Sequence, residues 1–203
     1  MINNILFDMG NVLIRFDPDL FLRRMGVGGE DAALLNREVF RSVEWVRLDR
    51  GDIGDADALE AVKRRLPERL WPAAAELICR WDRPYTPVPG MPELVRELSE
   101  AGYRLYLLTN ASRRHRTYWP TFPVSVYFGN RIMLSADWHI IKPEPGFYEK
   151  AFELFDLDRR ACVFIDDNPI NIESALRMGL PGLVFRGDAA RLRAELRGLG
   201  AAI

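Results

Sequence analysis

The stretch ILFDMGNVL, at residues 5–13, joins a short apolar run to a carboxylate, Asp8, and then to a glycine, Gly10. An apolar run of this length is typical of a buried β-strand, and the glycine indicates a turn directly after it. In open parallel sheets, ligands bind beyond the carboxyl ends of the strands. The stretch therefore predicts an α/β fold in which the first strand places Asp8 at the ligand-binding edge of the sheet.

The pattern of a short apolar run followed by a helical segment recurs along the chain. Apolar runs predict further strands at residues 105–108, 162–165 and 183–185, with a weaker candidate at 124–128. Helical periodicity is found at residues 92–101, 144–155, 168–178 and 189–199. Strands that are apolar throughout and alternate with amphipathic helices are typical of a parallel sheet covered on both faces. We therefore expect a Rossmann-like α/β core, a parallel sheet with helices on both faces.

Residues 17–86 interrupt this alternation. They contain no convincing strand, and helical patterns occur at residues 19–25, 31–40, 55–66 and 72–81. The proline-rich segment 84–90 then has the composition of a stiff, extended connector. We predict a helical cap with its connectors at residues 17–86, inserted into an α/β core formed by residues 1–16 and 87–203. A cap of this kind can close over a bound substrate and exclude water.

The composition argues against several classes of partner. With 48% hydrophobic residues and a net charge of −1 at pH 7, the chain has no basic excess for nucleic acid or an anionic membrane surface. Its apolar runs are a handful of residues long, whereas a membrane span needs about 20. We expect a protein that binds neither nucleic acid nor a membrane and that is a monomer or a weak homodimer.

The sequence also indicates a compartment. The first predicted strand begins at about Ile2, which we interpret as leaving no room for a signal peptide. Cys79 and Cys162 lie far apart and lack the spacing of metal ligands, so we interpret both as reduced packing residues. These features favour a cytoplasmic protein.

Loops at the same edge of the predicted sheet carry further polar groups. They are Thr109 and Asn110 after the second strand, Lys142 before a helix, and Asp166 and Asp167 after a later strand. Phosphoryl transfer needs such an inventory, because the charge on the phosphoryl oxygens must be offset and a divalent ion must bridge protein and phosphate. We expect the substrate to be a small phosphorylated molecule, because a small helical cap leaves room only for a small substrate.

A nucleophile and a metal site follow from the same residues. Asp8 can attack phosphorus and form an aspartyl phosphate. Asp167, supported by Asp166, would hold Mg²⁺ together with Asp8 and a backbone carbonyl, since oxygen ligands suit that ion. Three carboxylates that converge without a metal or a lysine repel one another, so we expect Mg²⁺ to be required.

Four segments in this order resemble the four motifs of the haloacid dehalogenase superfamily. They are ILFDMGNVL around Asp8, YLLTN with Thr109, IIKPEPGFYEKA with Lys142 and VFIDDNPINIESA with Asp167. The segments FDMGNVL, TNASRRHRTYWP and KPEPGFYEKA are similar to the branch that contains bacterial α-D-glucose-1-phosphate phosphatase. The resemblance implies a Mg²⁺-dependent phosphatase of a small metabolite, a sugar phosphate above all, with a phospho-aspartate intermediate.

The resemblance also implies a role for each matching residue. The predicted catalytic residues are Asp8, Thr109 and Lys142. The predicted substrate-binding residues are Thr109, Asn110, Lys142 and Trp45. The predicted metal ligands are Asp8, Gly10, Asp166 and Asp167. Gly10 would contribute its backbone carbonyl, and Asn171 would support the metal site. Trp45 is included because residues 44–51 resemble the cap loop that faces the active site in relatives.

Gly10 departs from the pattern of most phosphatases of the superfamily, which carry a second aspartate there as general acid and base. General acid catalysis is typically worth about a hundred- to ten-thousand-fold in rate, so its loss matters. An anomeric or acyl phosphate has a leaving group of low pKa and needs that proton less, which favours sugar 1-phosphates. Alternatively, a cap residue, Asp49 or Glu44, replaces the missing acid.

Other functions remain open at this point. A dehalogenase would displace halide from carbon without Mg²⁺, and the retained pair Asp166-Asp167 disfavours it. A catalytically silent phosphate-binding module is favoured only by Gly10. A phosphomutase needs an acid and base beside the nucleophile, which Gly10 removes.

Overall fold

Five parallel strands form the centre of the protein in a computed structural model, which describes residues 2–203. The strands are β1 (Asn4–Phe7), β2 (Arg104–Thr109), β3 (Ile132–Leu134), β4 (Cys162–Asp166) and β5 (Gly182–Val184). Neighbouring strands pair in parallel in the order β3-β2-β1-β4-β5, so β1 lies in the middle. This arrangement confirms the predicted Rossmann-like α/β core.

Helices precede and follow the strands along the chain. Those of the first half are α1 (Pro18–Arg24), α2 (Gly29–Leu35), α3 (Val43–Arg50), α4 (Asp55–Lys63), α5 (Trp71–Arg80) and α6 (Met91–Glu100). Those of the second half are α7 (His115–Tyr118), α8 (Ser135–Trp138), α9 (Pro145–Phe155), α10 (Pro169–Arg177) and α11 (Ala189–Gly198). Within residues 2–203, no helix is both long enough and apolar enough to cross a lipid bilayer.

Both faces of the sheet are covered by helices. Successive side chains of a strand point to opposite faces, so Ile5 and Phe7 of β1 pack in one apolar cluster and Leu6 packs in another. The first cluster includes residues of α6 and α11, and the second includes residues of α9 and α10. Because β1 is buried on both faces, the residues that follow Asn4 in this strand form a continuous apolar run rather than an alternating pattern.

The weak strand candidate at residues 124–128 is wrong. These residues lie mostly in the 3₁₀-helical segment Pro123–Tyr127, and β3 occupies this edge of the sheet instead. Pro123 has a fixed φ and no amide N–H, which suits the start of a helical turn and opposes pairing in a sheet. Val124 is buried whereas Val126 is 74% exposed. The apolar run therefore packs one side of a turn onto the core.

Helix α3 lies in a segment where we expected only a loop of the cap. The Ser42 hydroxyl caps its first turn by accepting a hydrogen bond from the Trp45 amide at 3.3 Å. Gly51 ends the helix with a left-handed φ of 81°, which favours glycine. Serine before the helix and glycine after it are helix-boundary signals that the sequence already contains.

The helices α1 to α5 enclose an apolar cluster of their own. Its buried members include Leu22, Leu35, Leu48, Val62 and Leu77. Phe16 and Trp81 pack against this cluster with ring centroids 5.0 Å apart, and Trp81 also contacts Tyr118 of α7 at 5.4 Å. A separate core is what we expect of a cap, although its boundaries at residues 17–86 remain a prediction.

His115 lies in an aromatic cluster under the core helices. Its ring stacks on Trp119 with centroids 5.4 Å apart and is 1% exposed. Burial, with a smaller contribution from Arg116, lowers the pKa of His115 to about 3. The imidazole is therefore neutral in the folded protein at neutral pH and serves as a packing group.

We predict that His115 makes the protein less stable as the pH falls below about 6.5, the ordinary pKa of histidine. In this range the unfolded chain binds a proton that the folded protein does not, so this residue lowers the free energy of unfolding by about 2 kcal/mol between about pH 7 and pH 5. Urea denaturation of the wild type and of His115→Phe, which keeps an aromatic ring without the titration, measures the difference. The same pH dependence in both proteins would contradict this prediction.

Candidate active site

The carboxyl ends of β1, β2 and β4 meet at one edge of the sheet. Asp8 follows β1 directly, Thr109 is the last residue of β2, and Asp166 is the last residue of β4. Since β2 and β4 flank β1 on opposite sides, the strand order reverses at β1, and a crevice opens beyond the strands at such a switch point. The topology thus brings together residues that are far apart in sequence.

The ammonium group of Lys142 lies at the centre of this edge. It donates hydrogen bonds to Asp8 Oδ1 at 2.7 Å, to Asp166 Oδ2 at 2.7 Å and to the carbonyl oxygen of Leu108 at 2.8 Å. Lys142 is buried, and all three of its ammonium hydrogens can find an acceptor here. Burial opposes the positive charge, but Asp8 and Asp166 outweigh it and raise the pKa of Lys142. The lysine therefore remains charged.

Asn110 fixes the backbone of Lys142. Its side-chain oxygen accepts from the Lys142 amide at 2.8 Å, and its side-chain nitrogen donates to the Lys142 carbonyl at 3.0 Å. Each polar side-chain atom of Asn110 thus forms one hydrogen bond with the backbone of Lys142. The loop after β2 and the loop before α9 are thereby held together.

Asp8 is buried except where it borders a cavity. Burial raises the pKa of Asp8 to about 7, Lys142 opposes the shift, and Asp166 adds to it. Within residues 2–203, Asp8 Oδ1 is bonded to Lys142, and Oδ2 accepts no hydrogen bond. One oxygen is thus held in place while the other is available to a ligand.

Three carboxylates form a candidate cation site. Asp8, Asp166 and Asp167 each offer an oxygen within 4.8 Å of the others. Burial and the neighbouring Asp166 raise the pKa of Asp167, which reflects the repulsion within this group. A donor set made only of oxygen atoms fits a hard divalent ion such as Mg²⁺, which would relieve that repulsion.

The members of this group differ in how far their oxygens are already engaged. Asp166 Oδ1 accepts from the Asn168 amide at 2.8 Å and from Asn171 Nδ2 at 3.0 Å, while Oδ2 accepts from Lys142. Asn171 therefore orients Asp166, a member of the candidate cation site. Because Asp166 is so fully bonded, Asp8 and Asp167 have the more available oxygens for a cation.

Gly10 and Thr109 complete the predicted set. Gly10 lines the cavity, where an added Cβ would lie 3.8 Å from the Phe16 Cβ and 4.0 Å from Asp8 Oδ2, which is ordinary contact. Glycine is therefore not required there by lack of space. Thr109 is fully buried, and its hydroxyl has no hydrogen-bond partner among residues 2–203. A buried polar atom without a partner fits a site that a ligand oxygen completes.

A cavity of about 210 Å³ separates these groups from the cap. Its cap side is mainly aromatic and aliphatic, and is formed by Phe16, Trp45, Leu48, Ile78 and Trp81. Trp45 thus lies at the cavity, with its ring 5.6 Å from that of Phe16. Tyr118 and Asn11 also line the cavity although we did not single them out from the sequence. Both lie in motif segments, but the pattern does not indicate which side chains of a loop face inward.

The two acidic residues considered in the cap are placed differently. Glu44 is buried in the cap and pairs with Arg65 at 2.7 Å, and the hydrogen bond from Arg65 lowers the pKa of Glu44. Asp49 lines the cavity instead. Glu44 therefore has a structural partner, whereas Asp49 is available to a ligand.

Comparison with known proteins agrees with this geometry. Residues 2–179 match the model of a family of hydrolases described as haloacid dehalogenase-like hydrolase. The chain belongs to this family. The four motif segments and the strands β1 to β4 lie within the matched residues, whereas β5 and α11 follow them.

Curated relatives in the haloacid dehalogenase-like family include phosphatases. The sesquiterpene phosphatase AstK of Aspergillus oryzae is 26% identical over 96% of this chain and 94% of its own length. The chloroplastic flavin mononucleotide hydrolase 1 of Arabidopsis thaliana is 28% identical over 57% of this chain. The match covers only 46% of the length of that hydrolase.

Solved structures share the fold over nearly the whole chain. The magnesium complex of a haloacid dehalogenase family enzyme from Bacteroides thetaiotaomicron has a TM-score of 0.71 at 25% identity, covering 95% of this chain and 98% of the other. An L-2-haloacid dehalogenase from Xanthobacter autotrophicus has a TM-score of 0.66 at 16% identity, covering 99% and 85%. At that identity the dehalogenase shows a shared fold alone.

We predict that Lys142→Met lowers the free energy of unfolding by about 3–5 kcal/mol at neutral pH, because it leaves two buried carboxylates without their counter-charge. The loss should shrink as the pH falls, because burial raises the pKa of Asp8 and this group then takes up a proton. Urea denaturation at two pH values measures both effects. Lys150→Met is the matched control, since Lys150 pairs with exposed Glu153 at the surface and its removal should change stability little. Equal losses in the two variants would rule the prediction out.

Proposed function

We propose that the protein is a Mg²⁺-dependent phosphatase that hydrolyses a small phosphorylated metabolite through a phosphorylated Asp8. The observation that carries the proposal is the arrangement of Asp8. Lys142 holds one carboxylate oxygen at 2.7 Å, and the other oxygen borders the cavity, free to attack phosphorus. Asp166 and Asp167 add oxygen donors for a divalent cation beside it.

The proposed reaction has two steps. In the first, the Asp8 carboxylate attacks phosphorus, the bond between phosphorus and the ester oxygen breaks, and that oxygen takes a proton from an acid in the site or from water as the alcohol leaves. In the second, water attacks the phosphorus of phospho-Asp8, and the acyl phosphate bond breaks to give free Asp8 and inorganic phosphate. Mg²⁺, when bound, offsets the negative charge of the phosphoryl oxygens.

The other predicted residues have supporting roles in this proposal. Lys142, kept charged by its two carboxylate partners, offsets charge at the phosphoryl group. The Thr109 hydroxyl and the backbone of Asn110 donate to phosphoryl oxygens. Gly10 contributes its carbonyl oxygen to the cation together with Asp167. These groups are fixed by the ends of strands, so little reorganisation is needed during the reaction.

The relatives support hydrolysis of a phosphate ester rather than displacement of a halide from carbon. A variant of the Bacteroides thetaiotaomicron enzyme was crystallised with magnesium and inorganic phosphate, at 25% identity to this chain and a TM-score of 0.69. AstK is a phosphatase by name and aligns with this chain over 94% of its own length. Halide displacement from carbon needs no divalent cation, so the retained carboxylates Asp166 and Asp167 favour the phosphatase.

The cavity supports a small substrate. A volume of about 210 Å³ under a cap accepts a metabolite and not a phosphorylated protein or nucleic acid. In our proposal the substrate is a sugar phosphate. Its phosphate group would lie between Asp8 and Lys142, and its ring would lie against the aromatic cap wall at Trp45.

We predict Mg²⁺-dependent phosphate release from para-nitrophenyl phosphate and from members of a sugar phosphate panel, and a loss of several orders of magnitude in Asp8→Asn. The amide keeps the shape of Asp8 but is a poor nucleophile. Asp52→Asn is the matched control, because Asp52 is exposed and contacts His139 outside the cavity. It should retain full activity.

Two results would overturn the proposed function. Turnover that survives Asp8→Asn would show that another group attacks phosphorus. Phosphate binding without turnover of any substrate, in the presence of Mg²⁺, would favour the silent phosphate-binding module.

A further inference from the structure

We propose that Asp49, carried into the active site by the cap, is the general acid that protonates the leaving group. The inference deepens the proposed function and rests on it. A cap residue would then supply the proton that Gly10 cannot supply, because glycine has no side chain. Asp49 then acts only when α3 lies over the core, so the cap completes the catalytic site.

Asp49 is an acidic residue of the cap that lines the cavity and has no protein partner there among the residues that the structure describes. Within residues 2–203, its carboxyl group forms no hydrogen bond and no ion pair, although it lines the same cavity as Asp8. The neighbouring cap acids are engaged elsewhere, since Glu44 pairs with Arg65, and Asp52 contacts His139. Asp49 also stands apart from the carboxylate cluster that suits a cation. It is therefore free to contact a substrate.

The surroundings of Asp49 favour its neutral, proton-carrying form. The cavity wall beside it contains Leu48 and the Tyr118 ring. Burial raises the pKa of Asp49 to about 7, the charge of Asp8 across the cavity adds to the shift, and Lys142 opposes it. A general acid is most effective when its pKa lies near the working pH. Tyr118 faces the same space and stays protonated, because burial raises its own pKa.

The carboxyl-terminal end of α3 is clamped to the core, which fixes the position of Asp49. The Ser135 hydroxyl donates to the backbone carbonyl of Asp49 and accepts from the Ala111 amide at 2.9 Å. Gly51 packs so closely that an added Cβ would lie 2.3 Å from the carbonyl oxygen of Ala136. Ser135 thus joins the cap helix to the loop that follows Thr109.

An ion pair adds to this clamp. Arg50 Nη1 donates to Glu144 Oε2 at 3.1 Å, so α3 is also tied to the start of α9, directly after the Lys142 loop. The backbone of Asp49 and the two residues that follow it, Arg50 and Gly51, therefore contact the core. A carboxyl group held in this way can donate a proton in a defined direction.

The proposed proton transfer balances over the two steps. As Asp8 attacks phosphorus and the ester bond breaks, Asp49 gives its proton to the departing oxygen and becomes a carboxylate. When water attacks phospho-Asp8, Asp49 takes a proton from that water. The residue ends protonated, ready for the next substrate, and no further reactant is needed.

The decisive experiment compares Asp49→Asn with the wild type on two substrates in the presence of Mg²⁺. One substrate is a simple alkyl phosphate, whose leaving group needs a proton, and the other is para-nitrophenyl phosphate, whose leaving group does not. The value of kcat/KM for the alkyl ester should fall about a hundred- to ten-thousand-fold, as expected for a lost general acid. The value for the aryl ester should change by less than about tenfold, since the acid is not needed.

The aryl ester also reports on folding, because a variant that turns it over has an intact site. Asp52→Asn, in the turn after the same helix, is the matched control and should change neither value. A uniform fall on both esters, or no fall on either, would overturn the role of Asp49. A wild type that hydrolyses neither ester with Mg²⁺ would instead overturn the proposed function itself.

Discussion

One buried ammonium group holds the candidate site together. Lys142 donates to Asp8, to Asp166 and to the backbone at the end of β2, so a single loop connects the ends of the three central strands. A buried charge is costly unless it is paired and hydrogen-bonded, and here each of its hydrogens has an acceptor. The same contacts leave one oxygen of Asp8 facing the cavity. The stability of the core and the reactivity of Asp8 therefore depend on one interaction.

The core and the cap contribute different chemistry. The core supplies the charged groups at the strand ends, whereas the cap supplies an apolar wall and one carboxyl group, Asp49. Excluding water from the cavity strengthens the electrostatic interactions at the phosphoryl end. The same apolar wall favours the neutral form of Asp49. Low polarity under the cap therefore strengthens the electrostatic interactions at the phosphoryl group and also keeps a proton on Asp49 for the leaving group. The contacts of Ser135 and Gly51 fix the position of the cap helix α3 against the core.

The sequence predicts most of the strands of the core and most of the helices of the cap, but it predicts neither the edge strand β3 nor which side chains of the cap face the cavity. Strands buried on both faces leave continuous apolar runs, which is why β1, β2 and β4 can be recognised. The partly buried edge strand β5 is predicted from the apolar run at residues 183–185. The edge strand β3 is missed because the apolar run before it, at residues 124–128, predicts a strand, whereas that run packs a helical turn that begins at Pro123. Glu44 and Asp49 show the limit for the site. Glu44 and Asp49 are five residues apart on one helix, so their side chains point in directions that differ by about 140° around the helix axis. Only the packing of α3 decides which of the two faces the cavity.

The proposed reaction depends on transfer of the phosphoryl group to Asp8. This transfer can be observed by mixing the protein with saturating para-nitrophenyl phosphate and Mg²⁺, quenching in acid during turnover, and mapping phosphorylated peptides by mass spectrometry. We expect one phosphoryl group on the peptide that contains Asp8, and none on that peptide in Asp8→Asn. Steady turnover with no phosphorylated Asp8, or with the phosphoryl group on another residue, would contradict it.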